Sequence, residues 1–100
     1  MIRAGVLASL LACGSKAREP VTHQVEIRAM TFVPAELTVG VGDTVVWVNR
    51  DVVPHTVTSK TFDSQSLATQ QVWSLSVSAA GEIPYVCTFH PTMTGKLTVR

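Results

Sequence analysis

From Val21 onward the chain reads as short apolar runs punctuated by turn residues. Between Val21 and Met30, Val25, Ile27 and Ala29 alternate with Gln24, Glu26 and Arg28, the period-two pattern of a strand with one buried face. Met30, beside Thr31 and Phe32, is expected in the core. Pro34 and Ala35 interrupt the pattern, Leu37-Thr38-Val39 resumes it, and Gly40-Val41-Gly42-Asp43 is a turn signal. Thr44-Val45-Val46-Trp47-Val48 is the most β-prone run and is apolar on both faces, which predicts a central strand. A further short strand is expected from His55 to Ser59. Residues 60–71 show no period and read as a long connection with room for one helical turn. Trp73, Leu75 and Val77 then alternate with Ser74, Ser76 and Ser78, and Ala79-Ala80-Gly81 turns the chain. Ile83 to Cys87 and Lys96 to Arg100 are the last two strands, joined by a loop. Pro84 marks the first of them as an edge or bulged strand. About seven short strands without a sustained helix predict an all-β sandwich.

One hundred residues suffice for one domain with one core. Eight Lys and Arg against seven Asp and Glu leave a formal charge of +1, so no basic patch points to nucleic acid and no strong field steers a charged partner. The first twelve residues differ in kind. Arg3 is the only charge before Lys16, and the run from Ala4 to Ala12 is too short to span a bilayer but suits the apolar part of a secretory signal. Leu10-Leu11-Ala12-Cys13 resembles a bacterial lipobox, in which the cysteine becomes the lipidated first residue. The expected organisation is a signal over 1–12, a polar tether over 13–20 and the domain over 21–100. That implies export to the periplasm or the outer face of a bacterial membrane, with Cys13 as an anchor point. An unprocessed apolar N-terminus is the plain alternative. A lipidated Cys13 cannot pair, which leaves Cys87 a lone thiol in an oxidising compartment, a liability unless a metal occupies it.

The end of the chain carries the chemistry. Tyr85-Val86-Cys87-Thr88-Phe89-His90-Pro91-Thr92-Met93 spaces three donors as Cys-x2-His-x2-Met. Thiolate, imidazole and thioether form a soft set that selects copper, and a trigonal His2Cys site with a weak axial Met is the electron-transfer copper arrangement. The second histidine must come from elsewhere, and His55, in Pro54-His55-Thr56, is the candidate. Cys87 is expected as the strong thiolate ligand, His55 and His90 as neutral imidazoles, and Met93 as the long axial contact. Asn49 is the polar residue best placed to hold a ligand histidine and tie the two loops together, with Thr56 next. Each residue alone has an ordinary reading: a buried small hydrophobe for Cys87, a loop histidine for His90, a gap filler for Met93, an exposed side chain for His55. The spacing is what makes them specific. Zinc could also take His2Cys ligands, although a thioether points away from it. His23 has no partner nearby in sequence and reads as a surface residue.

These segments resemble the cupredoxins of the plastocyanin and azurin group. The resemblance rests on Phe32-x-Pro34, Gly42-Asp43-Thr44-Val45-x-Trp47-x-Asn49, Pro54-His55, Phe62-Asp63-Ser64, Gly81, Tyr85-x-Cys87-Thr88-x-His90-Pro91 and Met93-x-Gly95. The two-residue gap between His90 and Met93 is of the amicyanin type. The resemblance implies a Greek-key β-sandwich and one type 1 (blue) copper ion held by His55, Cys87, His90 and Met93. It also implies a monomer that shuttles single electrons between redox protein partners rather than an enzyme. Partners would dock near the exposed edge of His90, on an apolar patch to which Val52, Val53, Pro54, Phe89 and Pro91 could contribute. Copper binding and delivery with the same ligands is the alternative function. Two positions depart from the family: Phe89 stands where Pro is usual, and Thr56 where Asn is common.

Overall fold

The computed structural model describes residues 18–100. The expected signal over 1–12, Cys13 and most of the expected tether lie outside the described residues. Seven strands follow in order: β1 Thr22–Arg28, β2 Thr31–Val33, β3 Glu36–Val39, β4 Thr44–Asn49, β5 Val72–Ser76, β6 Gly81–Cys87 and β7 His90–Val99. One sheet has the order β2-β1-β4-β5 and the other β3-β7-β6. The all-β sandwich is therefore as expected, with β4 an interior strand flanked by β1 in parallel and β5 in antiparallel pairing.

Alternation explains what each strand buries. Val25 and Ile27 of β1 and Val45 and Trp47 of β4 have no solvent exposure, and they face Tyr85 and Cys87 of β6 and Leu97 and Val99 of β7. Aromatic rings bridge the two sheets. Trp47 and Tyr85 meet edge to face at 5.5 Å between centroids, and Phe32 meets Tyr85 the same way at 4.8 Å. Such pairs contribute about 0.5–1.5 kcal/mol each beyond their burial. Gly95 of β7 makes room for this stack, because a Cβ there would collide with the Tyr85 ring.

Several expectations change. Met30 is not core: it is 43% exposed, and with Ala29 it forms a two-residue turn at φ 62° and 51°. The chain must reverse there to pair Arg28 with Thr31, and that reversal ends the alternation that pointed Ala29 inward. The segment from His55 to Ser59 makes isolated bridges to Leu67, Asp63 and Val86 rather than a continuous strand. Residues 60–71 hold no helix; serine and aspartate side chains bond the backbone locally instead, as Ser59 Oγ does to the Thr61 and Phe62 N–H groups. Pro84 does lie on an edge strand, β6, and a register irregularity follows at Val86 and Cys87.

At one pole Asp43 is buried and fully engaged. It accepts bonds from the Arg18 guanidinium, the backbone N–H of Val21 and Gly40, and the His23 ring. His23 is thus a partner of a buried carboxylate rather than a free surface residue. The His23 contact and the two N–H donors, with Arg18, outweigh burial and hold the Asp43 carboxyl well below the ordinary value of 3.8. The stability this provides is present above pH 3.8 and is lost as the pH falls below that value towards the lowered one.

Asp43→Asn should therefore lower the melting temperature at neutral pH and flatten the decline in stability below pH 3.8, as followed by circular dichroism. Gly95→Ala should destabilise by about 1–3 kcal/mol in urea denaturation, the usual cost of overpacking a core. Tyr85→Phe in the same background should recover part of that loss.

Candidate metal centre

The site lies at the opposite pole, where β4 ends and β6 turns into β7. Leaving β4 at Asn49, the chain runs through an irregular segment whose order comes from side chains. Asn49 Oδ1 accepts the Asp51 N–H at 2.9 Å, while its Nδ2 donates to the carbonyls of Val53 and Leu67 at 3.0 and 2.9 Å. Backbone bonds between His55 and Leu67 in both directions then hold His55 in place. Its ring is completely buried.

The β6–β7 hairpin presents the other donors. Cys87 pairs with His90 across the turn, whereas Val86 pairs with Thr94. Pro91, Thr92 and Met93 are therefore surplus residues on β7, a bulge of the kind that re-aims side chains beside functional sites. The sequence predicted a loop from Thr88 to Gly95; the structure instead extends β7 back to His90 and confines the turn to Thr88 and Phe89. Met93 is 5% exposed and packs in the same core cluster as Cys87.

Three of the four expected ligands are drawn together. Cys87 Sγ lies 3.7 Å from His55 Nδ1, and the His55 and His90 rings are 5.2 Å apart between centroids. Among the described residues Cys87 is a free thiol with no solvent exposure. Among those residues no group of three or more His, Cys, Asp and Glu side chains is closed into a metal site; the donors meet in pairs. Their chemistry nonetheless fits a soft metal ion. The Thr56 N–H points at Cys87 Sγ at 3.3 Å, which accommodates negative charge on the sulfur. His55 Nε2 is 2.8 Å from Asp51 Oδ2. A carboxylate only accepts, so in the neutral ring Nε2 carries the proton and Nδ1 turns its lone pair towards the sulfur.

The supporting residues differ from the expectation. Asn49 orders the segment that leads to His55 but does not join it to the hairpin. Thr56 does: its Oγ1 accepts the Thr88 N–H at 2.9 Å and lies 3.1 Å from Thr88 Oγ1. The threonine that departs from the family thus supplies the tie. Asp51 was not among the expected residues, although a carboxylate four residues before a candidate ligand histidine is a signal that could have found it. It also accepts the N–H groups of Ala29 and Met30 at 2.7 and 2.9 Å. Burial raises its carboxyl, but the Met30 N–H, the His55 ring and the Ala29 N–H prevail and leave it below the usual carboxylate range.

A family model described as a cupredoxin-like domain matches residues 1–99. Amicyanin from Paracoccus denitrificans is 38% identical over 82 residues, covering 75% of this chain and 63% of that protein. Amicyanin from Paracoccus versutus is 35% identical over 82 residues, covering 75% and 62%. The chain thus spans less than two thirds of the length of these relatives. A solved methionine-to-alanine variant of amicyanin in the Cu(I) state superposes with a TM-score of 0.74 at 34% identity, over 79% of this chain and 82% of that one. Matched along nearly its whole length, and folded like these relatives, the chain belongs to the cupredoxin-like family.

Proposed function

We propose that the protein carries single electrons between redox partners through one type 1 copper ion held by His55, Cys87, His90 and Met93. The observation that carries this reading is the buried Cys87 sulfur, which receives the Thr56 N–H and faces His55 Nδ1, with the His90 ring alongside. Bound copper would supply a one-electron Cu(I)/Cu(II) couple. The chain's own contribution is to hold the donors in place whichever state is present. Thr56 links the two ligand-bearing segments, and Asp51 fixes the His55 ring. The bulge carries Met93, whose thioether would be a weak donor to the copper, a tuner of potential more than a holder of metal. Amicyanin relatives and a Cu(I) structural neighbour favour electron transfer over copper delivery with the same ligands.

Electrons would pass through the partly exposed His90 edge. Val52, at 89%, and Val53, Pro54, Phe89 and Pro91, which stand next to His55 and His90 in sequence, are exposed and would supply an apolar surface suited to brief docking of a redox protein. The leader and Cys13 support an exported carrier tethered by a lipid at the membrane surface.

Titration of the purified protein with Cu(II) should give an intense blue absorption band at one copper per chain, with narrow parallel hyperfine splitting in EPR. Cys87→Ser should abolish that band; an intact blue form would remove the thiolate from the site. Met93→Gln should lower the reduction potential, since a harder axial donor favours Cu(II). An unchanged potential in cyclic voltammetry would place Met93 away from the metal.

A further inference from the structure

Every polar atom of Asp51 is committed. Its N–H goes to Asn49 Oδ1, its carbonyl takes the Thr69 hydroxyl at 2.7 Å, Oδ1 takes the Ala29 N–H, and Oδ2 takes the Met30 N–H and faces His55 Nε2. Its side chain is 15% exposed, and among the described residues its one ion-pair partner is His55. Neighbouring Arg50 is turned away, towards Glu26 and Gln70. The carboxylate charge therefore falls on the histidine and on the two turn amides.

The turn itself breaks a local rule. A two-residue hairpin with positive φ at both positions favours Gly, Asn or Asp, because a Cβ is disfavoured there. Here the positions hold Ala29 and Met30. Their side chains are exposed, so core packing does not explain the conformation. What compensates is Asp51, which captures both turn N–H groups with the same carboxylate that grips the ring. Strain retained beside a functional site, and held by one residue, is a common mark of a role in that site.

We propose that Asp51 is a positioning residue for electron transfer, locking His55 to the β1–β2 turn and setting the reduction potential of the centre through its charge. The proposal rests on the copper reading above. A negative charge hydrogen-bonded to a ligand makes the ligand a better donor and favours Cu(II), which carries one more positive charge than Cu(I). Removing the charge should favour Cu(I). Asp51→Asn removes it while keeping an oxygen that can accept from His55.

The test compares the copper-loaded wild type with Asp51→Asn and with the double variant Asp51→Asn/Met30→Gly. Glycine at position 30 relieves the turn and so separates clamp from charge. Asp51→Asn should melt at a lower temperature than wild type, in both metal-free and copper forms. It should also shift the reduction equilibrium about tenfold towards Cu(I), a rise of about 59 mV for one electron. In the double variant the melting temperature should recover in part while the potential stays raised. A wild-type potential in Asp51→Asn, or a return to it in the double variant, would overturn the proposal and leave the copper reading intact. A wild type without a blue centre would overturn both. If Asp51→Asn does not fold, 15N NMR of the metal-free wild type decides: the Nε2–H tautomer at His55 supports the lock and the Nδ1–H tautomer refutes it.

Discussion

The candidate centre depends on the join between the irregular segment carrying His55 and the end of β6. Thr58 and Val86 exchange two backbone hydrogen bonds at 3.0 and 2.9 Å, covering the open side of an edge strand. Next to that ladder the Thr56 N–H reaches the Cys87 sulfur, and the Thr56 hydroxyl takes the Thr88 N–H. Each neutral bond contributes about 1 kcal/mol net. Their larger effect is geometric: four contacts over three residues fix the phase of a segment that has no strand of its own. Slipping it by one residue would carry His55 away from Cys87.

Most of the fold was legible because its strands alternate. Period-two alternation located β1 and β5, a β-prone run apolar on both faces located β4, and the turn residues separated them. The expectation failed where side chains rather than periodicity shape the backbone. Met30 followed an apolar run, but a hairpin reversal at Ala29 ended the register. Residues 55–59 looked β-prone, yet their bridges depend on partners at Leu67, Asp63 and Val86 that no local pattern announces. Within the site, the spacing of Cys87, His90 and Met93 and the upstream His55 could be read as a donor set. That His55 and Cys87 meet, and that a three-residue bulge carries Met93, required the register of β6 against β7. Asp51 was only half legible: its spacing from His55 could be read, but its other partners are two backbone amides more than twenty residues upstream, and amides leave no mark in a sequence.

Two carboxylates, one at each pole, do similar work by the same means. Asp43 gathers the N–H groups of Val21 and Gly40 together with the Arg18 and His23 side chains. Asp51 gathers those of Ala29 and Met30 together with His55. A sandwich this small has little apolar surface at its ends, and buried or half-buried anions that bind backbone amides order the connections there. The difference lies in the partners. Asp43 faces an arginine and a histidine at the pole remote from the donors. Asp51 faces a proposed ligand, so its charge reaches the chemistry.

The parallel pairing of β1 with β4 sets Thr22 beside Thr44, and Arg18 arrives next to Asp43. Arg100 returns to the same pole, where it exchanges backbone bonds with Val39 and Val41. The length of β4, roughly 17 Å at about 3.3 Å per residue, separates that pole from the donors. Both ends of the folded body therefore lie side by side, far from His90. The sandwich has the geometry of a plug-in module: spliced through adjacent linkers into a loop of another protein, or fixed by either end to a conducting surface, it would keep its donor-bearing face outward and unobstructed.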